Sequence, residues 1–250
     1  NIFQNNSNIT LKNAIFTSQP FIGPRYSLLK IETGNVTANI NLEGTTFQDI
    51  GPTDYNSFAS ADYGNIIGIR TGSNSVMNID GGVTGVNFLR NHGLADQPGV
   101  VGLYAQNTIN FLGKVNFEGN WTGDYGGAVA DYDVAGSVMN FAGETSFINN
   151  HSSVFGGAID SWGGAANITF NGSTLFSDNY VYGTTVNSPN YPEHVDDQHT
   201  RGGAINIGYL NPGASGVNLT FNGNTKFIGN YVIDPKNNFN ALGGAVSAYG

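Results

Sequence analysis

Phe147-Ile148-Asn149-Asn150-His151-Ser152-Ser153-Val154-Phe155-Gly156-Gly157-Ala158-Ile159 holds the phrase that decides the fold. A Phe-x-x-Asn tetrad closes one apolar stretch, and a Gly-Gly-Ala-Ile tetrad opens the next. The pair recurs on both sides. Phe117 and Asn120 precede Gly126-Gly127-Ala128-Val129, and Phe176 and Asn179 precede Gly202-Gly203-Ala204-Ile205. Phe227 and Asn230 precede Gly243-Gly244-Ala245-Val246. Self-similarity of this kind marks a solenoid, in which each unit buries its apolar face only by stacking on its neighbours.

With one Phe per unit as anchor (Phe16, Phe47, Phe88, Phe117, Phe147, Phe176, Phe227), the steps are 31, 41, 29, 30, 29 and 51 residues. The base period is therefore 29–31, with extra residues before Phe88 and Phe227. Three short runs recur in each unit, each alternating apolar and polar. The first is Ile168–Phe170, matched to Val217–Phe221, Met139–Phe141, Ile109–Phe111 and Ile40–Leu42. The second is Thr174–Phe176, matched to Val115–Phe117 and Thr225–Phe227. The third is Ile205–Ile207, matched to Val101–Leu103, Ile67–Ile69 and Leu29–Ile31. Alternation at this length predicts half-buried strands, and no window carries helical spacing. The expectation is an all-β, right-handed parallel β-helix (a solenoid) with three strands per coil and about eight coils, residues 1–250 forming one domain. At one inter-strand spacing per coil it would span about 38 Å.

The tetrads then acquire roles. Phe points inward and stacks on the Phe of the next coil, contributing about 1.5–3 kcal/mol per buried ring. Asn sits at a corner, tolerating left-handed backbone or bonding the Asn one coil away. Gly-Gly supplies positive φ at a bend, and Ile or Val re-enters the core.

Composition narrows the function. Gly numbers 36 and Phe 16, with 11% charged residues, which argues against disorder. A net charge of −9 disfavours nucleic acid and anionic membrane as partners. The absence of Cys removes disulfides and thiolate metal sites. No run is long enough for a transmembrane helix, and no signal peptide is visible. Asn1 falls in what reads as the tail of an earlier repeat and Gly250 partway through another, so the chain is read as a fragment of a longer protein.

The alternation of Phe-x-x-Asn with Gly-Gly-Ala-Ile/Val resembles the repeat of chlamydial polymorphic outer membrane proteins and of other bacterial autotransporter passengers. Four motif pairs cover residues 117–246. The first hundred residues depart from the pattern: Phe47-Gln48-Asp49-Ile50 lacks the Asn, and Gly64-Asn65-Ile66-Ile67 and Gly99-Val100-Val101 stand where the glycine tetrad belongs. The resemblance implies a passenger domain displayed on the bacterial surface or secreted. It also implies a C-terminal β-barrel translocator in the full-length protein and adhesion to a host-cell protein or glycan.

Side chains three residues after each re-entry form an outward column of Glu32, Arg70, Tyr104, Tyr132, Trp162, Gly208 and Tyr249. Its aromatics either stack on one another or dock a partner. Gly208 opens a gap in this ridge, on the coil that carries the insertion at about 183–201. That insertion gathers Tyr191, Glu193, His194, Asp196, Asp197, His199 and Arg201. The ridge and the insertion are the expected partner-binding region. His-x-Asp-Asp-x-His could hold a metal, but a solvated polar loop is the simpler reading, so no metal and no cofactor are expected. His92, Trp121, His151, Tyr180 and Tyr231 share the step after each repeat Asn and read as corner packing. The Asn-x-Ser/Thr sequons at Asn8, Asn35, Asn120, Asn150, Asn167, Asn171 and Asn218 reflect composition.

No catalytic set stands out. Asp131, Asp133 and Asp160 lie on adjacent coils, Asp131 with inward parity that suggests a bulge and Asp160 facing out beside Trp162. An acid beside an aromatic keeps a polysaccharide lyase or hydrolase as an alternative, and a passive stalk is another. Exposed end coils make self-association an open expectation.

Overall fold

The structure is a computed structural model. It describes residues 2–3, 7–17, 27–31, 34–51, 65–69, 74–93, 100–103, 106–123, 125–131, 136–161, 166–183, 200–208, 216–233 and 243–248. Every strand pair is parallel and joins one coil to the next. Sheet A holds eight strands: Ile2–Phe3, Ser27–Ile31, Asn65–Ile69, Val101–Leu103, Val129–Asp131, Ile159–Ser161, Ile205–Ile207 and Val246–Ala248. Sheet B holds seven, from Ser7–Thr10 to Asn218–Phe221, and sheet C seven, from Ile15–Thr17 to Thr225–Ile228. The chain visits A, B and C in turn, giving the parallel β-helix with the right hand that parallel crossovers take.

A fourth sheet accompanies the three. Sheet D comprises Trp121–Thr122, His151–Ser152, Tyr180–Tyr182 and Tyr231–Ile233, directly after each repeat Asn. Its two-residue strands, Trp121–Thr122 and His151–Ser152, are too short to show alternation.

All seven anchor Phe rings stack in one column, with neighbouring centroids 4.9, 5.2, 5.0, 4.9, 4.8 and 4.9 Å apart. A second column, Phe111, Phe141, Phe170 and Phe221 from sheet B, stacks at 5.0, 4.6 and 5.1 Å. The columns meet edge to face, Phe111 on Phe117 at 85° and Phe170 on Phe176 at 82°. Both stacking geometries suit the ring quadrupole.

The first strand of the second coil is shifted from its expected register. Ile40, not Leu42, falls in the column of Ile79 and Phe111, and Ala38 falls in that of Met77 and Ile109. A slip of two residues preserves which face each side chain takes, so alternation alone cannot detect it.

The two glycines of the tetrad serve different ends. Gly126, Gly156, Gly202 and Gly243 adopt φ of 54°, 60°, 65° and 67°. The second glycines, Gly127, Gly157 and Gly203, instead lie where an added Cβ would strike backbone of the adjoining coil, as Gly157 would strike the Gly203 carbonyl and Tyr180. The repeat Asn bonds as expected through its amide but does not itself take left-handed backbone. Left-handed backbone belongs to the residue before it (Arg90, Gly119, Asn149, Asp178, Gly229), as it does to Asp49 before Ile50, while the Asn itself, buried at 91, 120, 150 and 179 and partly buried at 230, works through its amide.

That amide is fully used in each central coil. Asn120 Nδ2 donates back to the Phe88 carbonyl and forward to Asn150 Oδ1, both at 2.9 Å. Asn150 Oδ1 also accepts the Asn120 backbone N–H at 3.0 Å. The pattern runs through Asn91, Asn120, Asn150, Asn179 and Asn230. Two donors and two lone pairs are satisfied at once, so burial leaves no orphaned group. The sequons at Asn120 and Asn150 are therefore closed to modification.

Candidate functional site

Tyr104, Tyr132, Trp162, Tyr249, Tyr191, Glu193, His194, Asp196, Asp197 and His199 lie outside the described residues, as do Glu32, Arg70 and Asp133. The tetrad residues expected to be structural are all described. Gly208 is described and buried with φ of 84°, so a backbone need accounts for the glycine in its column. What can be placed is the root of the insertion. Tyr180–Tyr182 and Ile205–Ile207 keep the pairing of their neighbours: Tyr180 pairs Tyr231, and Ile159 pairs Ile205. The extra residues leave and rejoin without disturbing a rung.

The outer corner formed by sheet D carries a ladder of rings. His92 and Trp121 lie 4.5 Å apart, Trp121 and His151 6.0 Å, His151 and Tyr180 4.6 Å, and Tyr180 and Tyr231 5.1 Å. Apart from the first pair, tilted by 50°, the planes agree within 10°. Face-to-face stacking spends the ring faces on one another and leaves only edges to solvent, so the corner-packing reading holds. Burial, with His92 as a lesser cause, pushes the His151 imidazole down to about 4. Its Nδ1 is buried with no hydrogen-bond partner. Beyond the ladder, Tyr182 and Ile233 pair as an exposed apolar step.

Among the described residues, the buried acids, Asp131 and Asp160, both lie on sheet A. It is buried on both faces over 101–103, 129–131, 159–161 and 205–207. Asp131 keeps regular register between Leu103 and Ser161, so the expected bulge is absent. Asp160 has outward parity, alongside Ala130 and Asn206, yet it is only 1% exposed and does not face solvent. Asn206 Nδ2 donates to Asp160 Oδ1 at 2.8 Å. Burial pushes the Asp160 carboxyl up to about 7; the Asn206 bond opposes this, and the charge of Asp131 adds to it. Asn206 Oδ1 and Ser161 Oγ are buried without hydrogen-bond partners. A carboxyl so placed holds its proton near neutral pH and is closed to a large substrate. Nothing in the sequence pointed to Asn206 or Ser161, since each fills an ordinary strand position.

Among the described residues, no cluster of three or more His, Asp or Glu is arranged to hold a metal ion. No protein-family model, curated protein or solved structure matches the chain.

Proposed function

We propose that this chain is part of a bacterial surface-displayed passenger whose β-helix acts as an adhesive scaffold for a host-cell protein or glycan. The observation that carries the reading is the undisturbed register across the insertion: Ile159 pairs Ile205 although 46 residues separate them. A ladder that keeps its register on both sides of a long insertion is suited to presenting the inserted residues, since recognition concentrates on loops held by rigid scaffolds. The tandem Phe-x-x-Asn and Gly-Gly-Ala-Ile/Val tetrads supply the link to autotransporter passengers. A purely passive stalk has no use for the inserted residues.

Beads coated with the purified chain should attach to host cells and be competed off by soluble chain. Joining Gly183 directly to Thr200 should abolish attachment while leaving the melting temperature and β-sheet circular dichroism unchanged. Folded loop-deleted, Tyr132→Ala and Trp162→Ala proteins that all attach like the parent would overturn the reading. A carbohydrate-active enzyme is the alternative, although the buried Asp160 carboxyl is closed to a polysaccharide. Release of reducing ends from a polysaccharide, lost in Asp160→Asn, would replace adhesion with catalysis.

A further inference from the structure

The corner between sheets A and B holds a cleft of about 400 Å³ that crosses three successive coils. Its walls are Asn74, Gln106 and Gly136 at the turn, and Val76, Thr108 and Val138 at the head of sheet B. The volume lies within the ordinary range for small-ligand sites. Among the described residues, none that lines the cleft is ionisable, although the chain carries a net charge of −9.

The corner is preorganised from beneath. Ser75, Asn107 and Ser137, the residues between the two walls, are fully buried. The Ser75 backbone N–H donates to Asn107 Oδ1 at 3.0 Å, and the Asn74 N–H to the Gln106 carbonyl at 2.8 Å. On the same outer face, two residues further along each strand, runs an amide ladder. Asn140 donates to Asn110 at 2.8 Å, Asn110 to Asn78 at 2.7 Å and Asn78 to Asn39 at 2.7 Å. Each rung spends one of its two amide N–H donors on its neighbour and keeps the other.

We propose that this cleft, with the amide ladder running alongside it, binds a short segment of an uncharged glycan. The proposal rests on the adhesive reading and gives it a ligand class. Amides and a hydroxyl both donate and accept, which matches the vicinal hydroxyls of a sugar, whereas an anionic ligand calls for Arg or Lys. Val76 and Val138 offer methyl groups to the C–H face of a pyranose ring. The walls repeat at every coil, about 4.8 Å apart. A pyranose unit in an extended chain advances by a similar length. An extended peptide presents one face only every second residue, about 6.7 Å, and falls out of step.

The test uses the whole chain on an array of uncharged, sialylated and sulfated glycans, followed by calorimetry with the best uncharged oligosaccharide. Thr108→Val reproduces the residue found one coil to either side, and Asn74→Gly reproduces Gly136, so both should fold. Combined with Gln106→Ala they should weaken binding by about tenfold or more, the effect of losing a few hydrogen bonds. Lys226→Ala, exposed on sheet C, should leave binding unchanged. The cleft assignment is overturned if the triple variant binds like the parent or if only charged glycans bind. It is also overturned if cell attachment survives glycan removal and is lost on protease treatment, the result for a protein partner. Oligosaccharide binding that depends on Gln106, without attachment to cells, would remove the adhesive reading and keep the cleft.

Discussion

The coils after residue 117 and those before residue 93 share one Phe column yet hold their outer corners differently. In the later coils the corner is tied from inside, by the buried Asn ladder, the close glycine contacts and sheet D. In the earlier ones it is tied from outside. Arg90 forms a two-pronged pair with Asp49 at 2.9 Å on the exposed surface, whereas the corner between sheets B and C carries an exposed ion pair in both regions, Lys12–Glu43 and Lys114–Glu144, each at 2.9 Å. The Asn ladder stops where the regions meet: Ile50 occupies the next seat, buried, and donates only its backbone N–H to Asn91 Oδ1. The benzyl column therefore suffices to wind the chain, and the tetrads make the later coils tighter rather than making them coils.

Gly157→Ala should break that contrast most severely. Its Cβ would meet backbone atoms of Gly203 and Tyr180, and backbone cannot rotate away. The adjoining coils would have to separate, so a loss above about 4 kcal/mol, or failure to fold, is expected in urea titration. The corresponding step in an earlier coil, two residues before Ile67, is already a non-glycine, Asn65.

Next come the column and the ladder. Phe147→Ala leaves a cavity between Phe117 and Phe176 and should cost about 3–5 kcal/mol. Asn150→Leu keeps the side-chain branching but orphans the Asn120 backbone N–H, one Asn120 amide N–H and the Phe117 carbonyl's bond to Asn150 Nδ2. At about 1–3 kcal/mol per orphaned group, the loss should rival that of the cavity. A loss below 1 kcal/mol for Phe147→Ala would remove that ring from the core, and a neutral Asn150→Leu would reduce the ladder to decoration.

Arg90→Gly should have a small effect. The Arg90–Asp49 pair is 57% and 43% exposed and is worth at most about 1 kcal/mol. Arg90 also holds φ at 50°, a conformation that costs a non-glycine residue about 1 kcal/mol or more. The equivalent residue is already glycine at Gly119 and Gly229. Loss of the pair and relief of the backbone should nearly cancel, leaving the melting midpoint almost unmoved.

The sequence made some of this legible because side-chain size and alternation report directly on the core. Phe16 through Phe227, the sheet A register and the glycine tetrads were all readable. Sheet D was not, since His151-Ser152 is too short to show a period. The αL seat escaped because Asp49, Arg90, Gly119 and Asn149 share no chemistry, only a φ. For the candidate site, parity gave the outward direction of Asp160 but not its covering, because a strand pattern says nothing of what lies over a sheet. The cleft escaped for a similar reason: Gln106 and Thr108 become neighbours of Asn74 and Val138 only once the coils are stacked.

The smallest net effect is expected from pH, because the two most strongly perturbed groups among the described residues, Asp160 and His151, oppose each other. Asp160 has its folded value raised to about 7, above the roughly 3.9 of an unfolded chain. Over that interval the folded state holds a proton that the unfolded state has released, so stability from this group falls as pH rises from about 4 to 7. His151 is lowered to about 4, against roughly 6.5 unfolded. There the unfolded state binds the extra proton, and stability rises with pH across nearly the same interval. The parent should thus look almost flat from pH 4 to 6.5 in denaturant titrations. Asp160→Asn should unmask a stability that climbs with pH, and His151→Tyr, which extends the ring ladder with its neighbour's residue, should unmask one that declines. Equal slopes in both variants would mean that neither group titrates as its burial requires.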